Sequence, residues 1–587
     1  MNISSKALFD YLLVDLRAAG INPNDFVAGV DDFWPGASPK EVAALRLVRS
    51  LFKKLNDEER PDAKQRCLDK FLQSDELCRL WRFDPQSARD EELFGLLRQE
   101  VDEFLHPLGE PLVSSYFDIL RRGKAGPGAS LGANGPDFYT KFFSSKLTAT
   151  STTLYDMYNE FVSWYPSWVE AELSRALRLG IVGVTQGNHL SFVRKNVDIA
   201  RSICTEPSLN MFYQLGLGAM LSERLDAVFN IQLETQQTWN RSMACRGSEA
   251  DDLVTIDLES ASDSFSTGLC EAIFPGWFNT ILWEIRSPKV LIGREWRELH
   301  MISSMGNGFT FPLQTMLFSC VVRAALRFRG VPPLMANQQL IDSVDEPTLG
   351  TWGVFGDDII CHNSVADDVC RLLTLIGFRV NRTKSYFQGP FRESCGADYY
   401  SGQLVRGVYI RSLLTTQSRY VAINRLNEWS AQTGIFLPMT VGYLQDSVRD
   451  LAVPYWESDD SGIRTWQPPT FHRRFNENLS FLYRKYEVDV PFLEVGDAFL
   501  RPVRANGKKP PKARIYNPSG LLFSFVGGFI RNCRVALALK QGERPRYRTT
   551  TKIAPSWCGF RPGTGFAADP CFWMPRVTAA LDRNLRF

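Results

Sequence analysis

The sequence predicts an α+β fold with an antiparallel sheet, and three observations lead to this prediction. Residues 352–361 carry apolar side chains on both sides of a Gly-Asp-Asp centre, which is typical of a β-hairpin of two short buried strands. Residues 253–256, Leu-Val-Thr-Ile, indicate a further buried strand. From residue 253 to residue 380 the predicted order is strand, helix, helix, hairpin, helix, strand, which suits an α+β arrangement.

The spacing of apolar residues in the N-terminal part of the chain predicts helices. Apolar side chains recur on one helical face of residues 4–19, Ser4 or Ser5 can cap the start, and Gly20 can end the helix. Amphipathic helical stretches continue to about residue 120 and carry no recognisable chemistry. Residues 154–179 also predict a helix, and its aromatic side chains have a spacing more typical of a core than of a base-stacking surface.

Glycine-rich loops and further helices follow. Residues 126–135 predict a loop that could touch phosphates, although it lacks the phosphate-loop pattern G-x-x-x-x-G-K-[ST]. Residues 211–225 predict a helix, and residues 305–308 predict a loop that leads into a helix ending near residue 326. A helix at 365–376 precedes a strand at 378–380.

Composition places the chain among globular proteins. Its 587 residues are enough for roughly three or four domain-sized units, and 44% hydrophobic with 22% charged residues is ordinary for a soluble domain. The most apolar run, residues 521–530, is too short to span a bilayer, so no membrane association is expected. The twelve cysteines show no C-x-x-C pair, which favours reduced thiols in a cytoplasm over disulfides or a zinc site.

Positive charge is concentrated near the C-terminus. The net charge of the chain is +2, yet residues 501–552 contain thirteen Lys or Arg and a single acid, Glu543. This asymmetry predicts a polyanionic partner. Tyr516 and Phe523 lie in the same segment and would be available for stacking if that partner carried bases. A solvated charged face is the competing interpretation, and core packing suits Phe523 better than stacking.

Three aspartates indicate a metal site. Asp357 and Asp358 lie at the turn of the predicted hairpin, beside Gly356, which permits the turn, and Asp257 ends the predicted strand about a hundred residues earlier. If these strands are neighbours in one sheet, three carboxylates converge and can hold two Mg²⁺ ions, with Mn²⁺ as a possible substitute. The alternative is that they are ordinary solvated turn acids.

Cationic and polar groups elsewhere complement such a site. Arg194, Lys195 and Arg201 could hold a triphosphate, since Arg makes forked contacts with phosphate oxygens and Lys supplies a point charge. A solvated or salt-bridged face is the alternative for this cluster. Ser262, Asp263 and Asn307 could recognise a ribose 2′-hydroxyl, the group that distinguishes RNA from DNA. Helix N-capping is the alternative role for Asp263.

Five ordered segments resemble the motifs of a known enzyme family. Residues 255–264 resemble polymerase motif A, 303–311 motif B, 355–358 motif C, 377–384 motif D and 389–402 the motif that follows. Together and in this order they resemble the replicase catalytic (beta) subunit of the positive-strand RNA bacteriophages, the levivirus family. The resemblance is strong over residues 193–402 and weak at both ends of the chain.

Three positions depart from the family pattern. Phe355 precedes Gly-Asp-Asp where the family usually has Tyr, Glu259 occupies a place expected for a small residue, and Pro312 occupies a place expected for Glu. The lost tyrosine hydroxyl should matter little for metal binding, because the ring can still pack. The other two departures bear on contacts with template or nucleotide and not on the reaction.

The resemblance implies a right-hand polymerase fold with an antiparallel-sheet palm. It divides the chain into a mostly helical N-terminal region (1–120), fingers with the basic nucleotide-binding motif (121–250), a palm (251–402), and a thumb with the basic C-terminal region (403–587). The implied function is RNA-dependent RNA synthesis, in which a nucleotide is transferred from an NTP to an RNA 3′-hydroxyl by a two-metal mechanism.

The resemblance also assigns roles to residues. Asp257 and Asp357 are expected to be the direct metal ligands and Asp358 a weaker one. Lys384 is expected to donate a proton to the departing pyrophosphate, and Gly306, with its neighbour Gly308, to let the loop backbone approach the template or nucleotide.

Partners and alternatives complete the interpretation. RNA template, RNA product and NTPs are implied, as are host elongation factors Tu and Ts and a ribosomal small-subunit protein, in the cytoplasm of an infected bacterium. A reverse transcriptase would share the palm, but usually has Ala or Met instead of Gly before the two aspartates. A non-catalytic RNA-binding assembly protein, with structural carboxylates, is the other alternative. A metal-dependent nuclease would not need the cations near residue 194.

Overall fold

The computed structural model describes residues 3–22, 36–55, 62–196, 198–331, 336–337, 351–465, 481–489, 492–495, 500–503, 533–536, 545–554 and 557. Side chains are not described for 492–495, 500–503 and 533–536. The proposed stacking residues Tyr516 and Phe523, and most of the basic segment 501–552, lie outside the described residues.

The helices of the described ranges are concentrated before residue 330 and again after residue 415. They are α1 (Ser5–Ala18), α2 (Pro39–Ser50), α3 (Ala63–Leu80), α4 (Ala88–Leu105), α5 (Tyr116–Arg121), α6 (Phe138–Phe142), α7 (Thr152–Val162), α8 (Pro166–Leu179), α9 (Ser208–Phe229), α10 (Gln236–Ala250), α11 (Thr267–Ile273), α12 (Gly276–Ile285), α13 (Thr310–Phe328), α14 (Ala366–Leu375), α15 (Thr416–Thr433) and α16 (Pro438–Gln445).

The strands are short and form several small sheets. They are β1 (Leu147–Ala149), β2 (Val182–Val184), β3 (Gly187–Arg194), β4 (Ala200–Thr205), β5 (Leu253–Ile256), β6 (Leu258–Glu259), β7 (Lys289–Ile292), β8 (Glu295–Glu298), β9 (Trp352–Phe355), β10 (Asp358–His362), β11 (Arg379–Val380), β12 (Phe391–Ser394), β13 (Ala397–Tyr400), β14 (Gln403–Leu404), β15 (Ala452–Pro454), β16 (Ile463–Thr465), β17 (Phe481–Val488), β18 (Phe492–Val495), β19 (Leu500–Val503), β20 (Cys533–Ala536) and β21 (Tyr547–Ala554).

The predicted hairpin and the predicted strand at 253–256 form one antiparallel sheet. Its strand order is β5-β10-β9, with Ile359 opposite Ile256 on one side and Asp358 opposite Phe355 on the other. Helices surround this sheet, so the structure confirms the predicted mixture of helices with an antiparallel sheet. The finer division into fingers, palm and thumb stays a prediction.

The hairpin turn depends on Gly356. Its φ of +61° lies in the left-handed region, and a Cβ atom there would come within 2.4 Å of the Phe311 ring. The Gly356 N–H donates to the Thr315 hydroxyl of α13 at 3.0 Å. Helix α13 therefore holds the turn in place, and no larger residue fits at position 356 without displacing Phe311.

The helix predictions for the N-terminal half are confirmed with one exception. Helix α1 begins after the capping residue Ser4, whose hydroxyl accepts from the Ala7 N–H at 3.3 Å. The single helix predicted for 154–179 is wrong, because α7 ends at Val162 and α8 starts at Pro166. Proline lacks the N–H that an interior helical position requires, so it is placed in the first turn of a new helix.

Two hydrophobic cores organise the described chain. The larger core joins α4, α7, α9 and α11–α14 to the sheet of β5, β9 and β10, and it buries four of the six aromatic residues of the 154–179 stretch: Tyr155, Tyr158, Phe161 and Trp168. The smaller core joins α1 and α2 to α15 and α16. The N-terminal helices thus pack against helices that follow the central sheet in sequence.

None of the helices in the described ranges is both long enough and apolar enough to cross a membrane.

Candidate active site

The central sheet brings Asp257 and Asp357 to the same edge. Asp257 directly follows Ile256, which pairs with Ile359, and Asp357 lies in the turn that precedes β10. Burial raises the pKa of the Asp357 carboxyl, and the neighbouring charge of Asp257 raises it further. Two carboxylates of like charge are therefore held near each other in a partly dehydrated place, an arrangement that a cation would stabilise.

A short segment after β11 fixes the orientation of Asp257. The Asn381 side-chain amide donates to Asp257 Oδ2 at 2.9 Å, and Lys384 Nζ lies 3.7 Å from the same oxygen. The Asp257 N–H donates to the Ser385 hydroxyl at 3.0 Å. Because backbone and side chain are both held, the Asp257 carboxylate has a defined direction.

Asp358 faces a different part of the molecule. Its Oδ1 accepts from the Cys395 N–H at 2.9 Å and from the Ser394 hydroxyl at 3.3 Å, between β12 and β13. Burial raises the pKa of Asp358 to about 6. Asp357 lies in the turn and Asp358 is the first residue of β10, where its side chain contacts the turn between β12 and β13.

The charges of Asp357 and Asp257 both act on Asp358 and raise its pKa further, and its expected role as a weaker metal ligand stays a prediction. Within the described parts of the chain, no three His, Cys, Asp or Glu side chains are grouped as a metal site. The Asp257 and Asp357 pair still fits Mg²⁺, which is typically held by one or two carboxylates while phosphates and water complete its shell. Asp358 also anchors the turn between β12 and β13 to the hairpin.

Cations face the two aspartates from the β3–β4 hairpin. Lys195 and Arg201 both act on Asp357, lowering its pKa against the effect of burial. The pKa of the Lys195 ammonium is itself lowered, first by loss of hydration and then by Arg201 and Lys384. Arg194 has a structural contact, since its guanidinium donates to the carbonyls of Asn196 at 3.1 Å and Leu55 at 3.0 Å.

The residues predicted to recognise a ribose lie beside this region. Asp263 ends a 3₁₀ turn, and its carboxylate accepts from the hydroxyls of Ser262 at 3.2 Å and Ser202 at 3.4 Å. The N-capping alternative for Asp263 is wrong, because Ser266 caps α11 and accepts from the Leu269 N–H at 3.0 Å.

The raised pKa of Asp263 predicts how this side chain changes the free energy of unfolding with pH. Burial raises its pKa from 3.8 to about 6, so the folded chain keeps this proton over a pH range in which the unfolded chain loses it. Its contribution to stability is therefore complete below about pH 4 and is lost as the pH rises towards 6. We expect Asp263→Asn to raise the free energy of unfolding by roughly 1–3 kcal/mol at pH 7.5 and by much less at pH 4.

Denaturant unfolding of both proteins at the two pH values measures this difference. Asp226→Asn, which neutralises an exposed carboxylate on α9, is the control and should shift neither value. A destabilised Asp263→Asn at pH 7.5 would contradict the expected sign.

The loop before α13 packs closely on the β3–β4 hairpin. Gly306 has φ +117°, and a Cβ atom there would lie 2.2 Å from the carbonyl oxygen of Cys204. The Cys204 N–H donates to the Met305 carbonyl at 2.8 Å. The Asn307 side chain turns inward and accepts from the Phe309 N–H at 3.0 Å, so it stabilises the loop in this state.

A buried carboxylate supports the same loop from behind. Glu206 is fully buried and accepts from Asn188 at 2.8 Å, Ser287 at 2.6 Å and Gln214 at 3.1 Å. Gln214 in turn accepts from the Gly308 N–H at 3.1 Å. Gln214 therefore connects a buried carboxyl group in the core to the backbone of the loop.

Sequence reasoning assigned no role to several of these contacts. Asn381 and Ser385 both form hydrogen bonds with Asp257. In the sequence, only the resemblance of residues 377–384 to polymerase motif D indicated that this segment matters. Nothing in the sequence indicated that Gln214 contacts the loop, because a polar residue in a predicted helix is usually exposed to solvent. Phe355 packs as expected although it lacks the tyrosine hydroxyl. Its ring lies edge-on against the Phe311 ring, with the ring centres 4.6 Å apart.

A sequence model of the family described as RNA replicase, beta-chain, matches residues 44–461. This chain belongs to that family. Among curated relatives of the RNA replicase beta-chain, the RNA-directed RNA polymerase beta chain of Enterobacteria phage fr is 38% identical over 254 residues, which is 43% of this chain and 43% of the relative. The RNA-directed RNA polymerase subunit beta of Qbeta virus (strain MX1) is 36% identical over 264 residues, or 44% of this chain and 42% of the relative.

The alignments therefore span less than half the length of each relative. Among solved structures, an RNA polymerase complex inside a dsRNA virus superposes with a TM-score of 0.38 at 12% identity, covering 62% of this replicase chain and 34% of the other.

Proposed function

We propose that this replicase chain catalyses template-directed RNA synthesis, adding nucleotides from NTPs to an RNA 3′-hydroxyl. The observation that carries the proposal is the pair of carboxylates, Asp257 and Asp357, at one sheet edge with Lys195 and Arg201 facing them. Membership of the RNA replicase beta-chain family agrees with this reaction.

Asp257 and Asp357 are the residues that would hold Mg²⁺, or Mn²⁺ in its place. When bound, the metal lowers the pKa of the attacking 3′-hydroxyl and neutralises charge that develops on the leaving pyrophosphate. The chain itself contributes a fixed pair of carboxylates, since Asn381, Lys384 and Ser385 hold Asp257 in place. Asp358 contributes indirectly, by fixing the hairpin against Cys395.

Lys195 and Arg201 would bind the triphosphate of the incoming nucleotide. Their charges act on Asp357, so a triphosphate beside the aspartates lies within their reach. Arg194 has a supporting role in this proposal, because its guanidinium bonds to two backbone carbonyls and holds the end of β3 against residue 55.

Asp263 and Ser262 would distinguish ribose from deoxyribose. Their side chains are hydrogen-bonded to each other, and a 2′-hydroxyl could replace one of these contacts. Asn307 would act by shaping the loop, since its side-chain oxygen is engaged by the Phe309 N–H. Gly306 would keep the loop backbone close to the β3–β4 hairpin.

Lys384 would deliver a proton to the departing pyrophosphate. Its ammonium lies 3.7 Å from Asp257 and is half exposed, so it can change partners when a substrate enters. This role differs from that of Lys195, whose charge binds the triphosphate before the bond between the α- and β-phosphates breaks.

The same proposal covers fold, partners and setting. The sheet of β5, β9 and β10 corresponds to the palm of a right-hand polymerase, with fingers before residue 250 and a thumb after residue 402. We propose that the chain works in the cytoplasm of an infected bacterium with host elongation factors Tu and Ts and a ribosomal small-subunit protein.

Incorporation of labelled nucleotides on an RNA template tests the proposal. The wild-type chain is assayed with Mg²⁺, with NTPs or dNTPs, and with or without factors Tu and Ts. Template-dependent product from NTPs alone supports RNA synthesis, and product from dNTPs favours a reverse transcriptase. RNA binding without any product, with the factors present and several templates tried, favours a non-catalytic assembly protein.

A further inference from the structure

Three buried amide side chains lie behind the hairpin that carries Asp357. They are Gln236 and Asn240 of α10 and Asn337, which lies between α13 and β9 in the chain. We call Gln236, Asn240 and Asn337 the amide chain. A buried amide costs free energy unless it is hydrogen-bonded, so the partners of these side chains show what they hold in place.

The hydrogen bonds of the amide chain run in one direction. Asn240 Nδ2 donates to the Asp358 carbonyl at 3.2 Å, and Gln236 Nε2 donates to Asn240 Oδ1 at 2.9 Å. Asn337 Nδ2 donates to Gln236 Oε1 at 2.8 Å and to the Asn230 carbonyl at 3.3 Å. Because a backbone carbonyl can only accept, the Asp358 carbonyl requires the Asn240 amino group. The orientation of each following amide is then decided by its neighbour.

The amide chain packs directly against strand β9 of the hairpin. A Cβ atom at Gly353 would lie 3.0 Å from both Asn240 Oδ1 and Gln236 Nε2, and 2.2 Å from the methyl carbon of Met243. The missing side chain of Gly353 therefore leaves the space that these α10 side chains occupy. Since β9 pairs with β10, helix α10 supports the hairpin through both of its strands.

The same helix holds the turn that binds the Asp358 carboxylate. The Arg241 guanidinium donates twice to the Cys395 carbonyl, at 3.0 and 3.2 Å. The Cys395 N–H donates to Asp358 Oδ1 at 2.9 Å. Asn240 Nδ2 also donates to the Ser394 hydroxyl at 3.4 Å, and that hydroxyl donates to Asp358 Oδ1 at 3.3 Å. Two adjacent residues of α10 therefore restrain both the main chain and the side chain of Asp358.

These contacts restrain the chain on one side of Asp357. On the other side, the Gly356 N–H donates to the Thr315 hydroxyl at 3.0 Å. The metal-binding candidate Asp357 is thus enclosed between two fixed points, Thr315 of α13 before it and Asn240 of α10 after it. If the Asp358 main chain moves, the separation of the two aspartates at the sheet edge changes. Groups that fix a metal ligand in this way typically change metal affinity by about 10- to 100-fold.

We propose that Asn240 is a positioning residue for the metal site. Through the Asp358 carbonyl it holds the hairpin so that Asp257 and Asp357 face a divalent cation at a fixed separation. Gln236 keeps the Asn240 amide in its donating orientation. This inference deepens the proposed function and rests on it for the identity of the metal-binding carboxylates, but binding of a cation to the free chain requires no catalysis.

Binding of Mn²⁺ tests the inference without nucleotide. The signal of free Mn²⁺ in electron paramagnetic resonance is titrated with the full chain. We expect Asn240→Leu, which is similar in size, to raise the dissociation constant about tenfold. Gln236→Met leaves Asn240 in place but removes the donor to its Oδ1, and should raise the constant about threefold. Gln236→Met decides the question if Asn240→Leu does not fold.

Asn424→Leu is the matched control. Asn424 is a buried asparagine of α15, and its amide donates to the carbonyls of Asp459 at 2.9 Å and Gly462 at 2.8 Å. Denaturant unfolding should show comparable losses of stability for Asn424→Leu and Asn240→Leu, whereas Asn424→Leu should keep the wild-type Mn²⁺ affinity. Equal losses of Mn²⁺ affinity in the two leucine variants would overturn the inference in favour of general destabilisation.

Further outcomes separate this inference from the proposed reaction. In incorporation assays, Asn240→Leu should raise the Mg²⁺ concentration that gives half the maximal rate by a factor similar to its loss of Mn²⁺ affinity. Wild-type Mn²⁺ affinity in Asn240→Leu and Gln236→Met overturns the inference. Weaker Mn²⁺ binding in Asn240→Leu and Asp357→Asn, with a wild-type chain that makes no product, retains it and rejects the proposed polymerase. Equal Mn²⁺ affinity of the wild-type chain and Asp357→Asn overturns both the inference and the metal site.

Discussion

Replacing Asp357 with asparagine is expected to lower NTP incorporation by about a thousandfold or more while RNA binding persists. The substitution preserves the size of the side chain but removes one of the two carboxylates at the sheet edge. It also removes the negative charge on which Lys195 and Arg201 act. Product formation on an RNA template with Mg²⁺, and filter binding of the same RNA, measure the two effects.

Asp358 and Asp226 provide matched controls for that result. Asp358→Asn keeps an oxygen that can accept from the Cys395 N–H, so its activity should fall much less than that of Asp357→Asn. Asp226→Asn changes an exposed carboxylate on α9 and should behave as wild type. Equal losses in Asp357→Asn and Asp358→Asn would mean that both carboxylates bind metal and that the hairpin rearranges to bring them together.

Gly306→Ala is expected to reduce kcat/KM for NTPs by roughly ten- to a hundredfold, since displacement of a positioning loop by about 1 Å has effects of this size. An alanine Cβ would lie 2.2 Å from the Cys204 carbonyl oxygen, a backbone atom that cannot rotate away. The loop must then move, and the contacts made by Gly308 with Gln214 move with it. Steady-state incorporation assays measure the loss.

Gly293→Ala is the control for the loop variant. Gly293 also has a positive φ, +64°, but a Cβ there meets nothing within 4 Å. The Gly293→Ala variant therefore has the conformational cost of a left-handed alanine, about 1–2 kcal/mol, without the steric clash. If both alanine variants lose the same activity, general destabilisation explains the effect and the packing of the loop on Cys204 does not.

The sequence was most informative where a structure is decided by neighbouring residues. The strand at 253–256 and the hairpin at 352–361 follow from apolar runs and a glycine turn, and both are present. The misplaced helix at 154–179 had a local signal too, in Pro166, but its apolar periodicity continued through the break and concealed it.

What the sequence could not supply were relationships between distant residues. The separation of Asp357 from Asp358 depends on the Cys395 N–H, which becomes a partner only after β12 and β13 have docked. The link from Glu206 through Gln214 to Gly308 likewise depends on the way α9 crosses the loop. Periodicity and motif spacing contain no information about such register, so these contacts could be found only in the folded chain.

The packing of α1 against α16 has a consequence for synthesis on the ribosome. Asp15 is buried and accepts hydrogen bonds from the Met439 N–H at 3.0 Å and from the Thr440 N–H at 2.8 Å, across 424 and 425 positions of sequence. At about 5–20 residues per second, α1 emerges roughly 20 to 85 seconds before its partner exists. During that interval the apolar face of α1 lacks its native cover, so this nascent chain should depend on chaperones that shield exposed apolar segments. Slowing translation before residue 440 should lengthen that dependence.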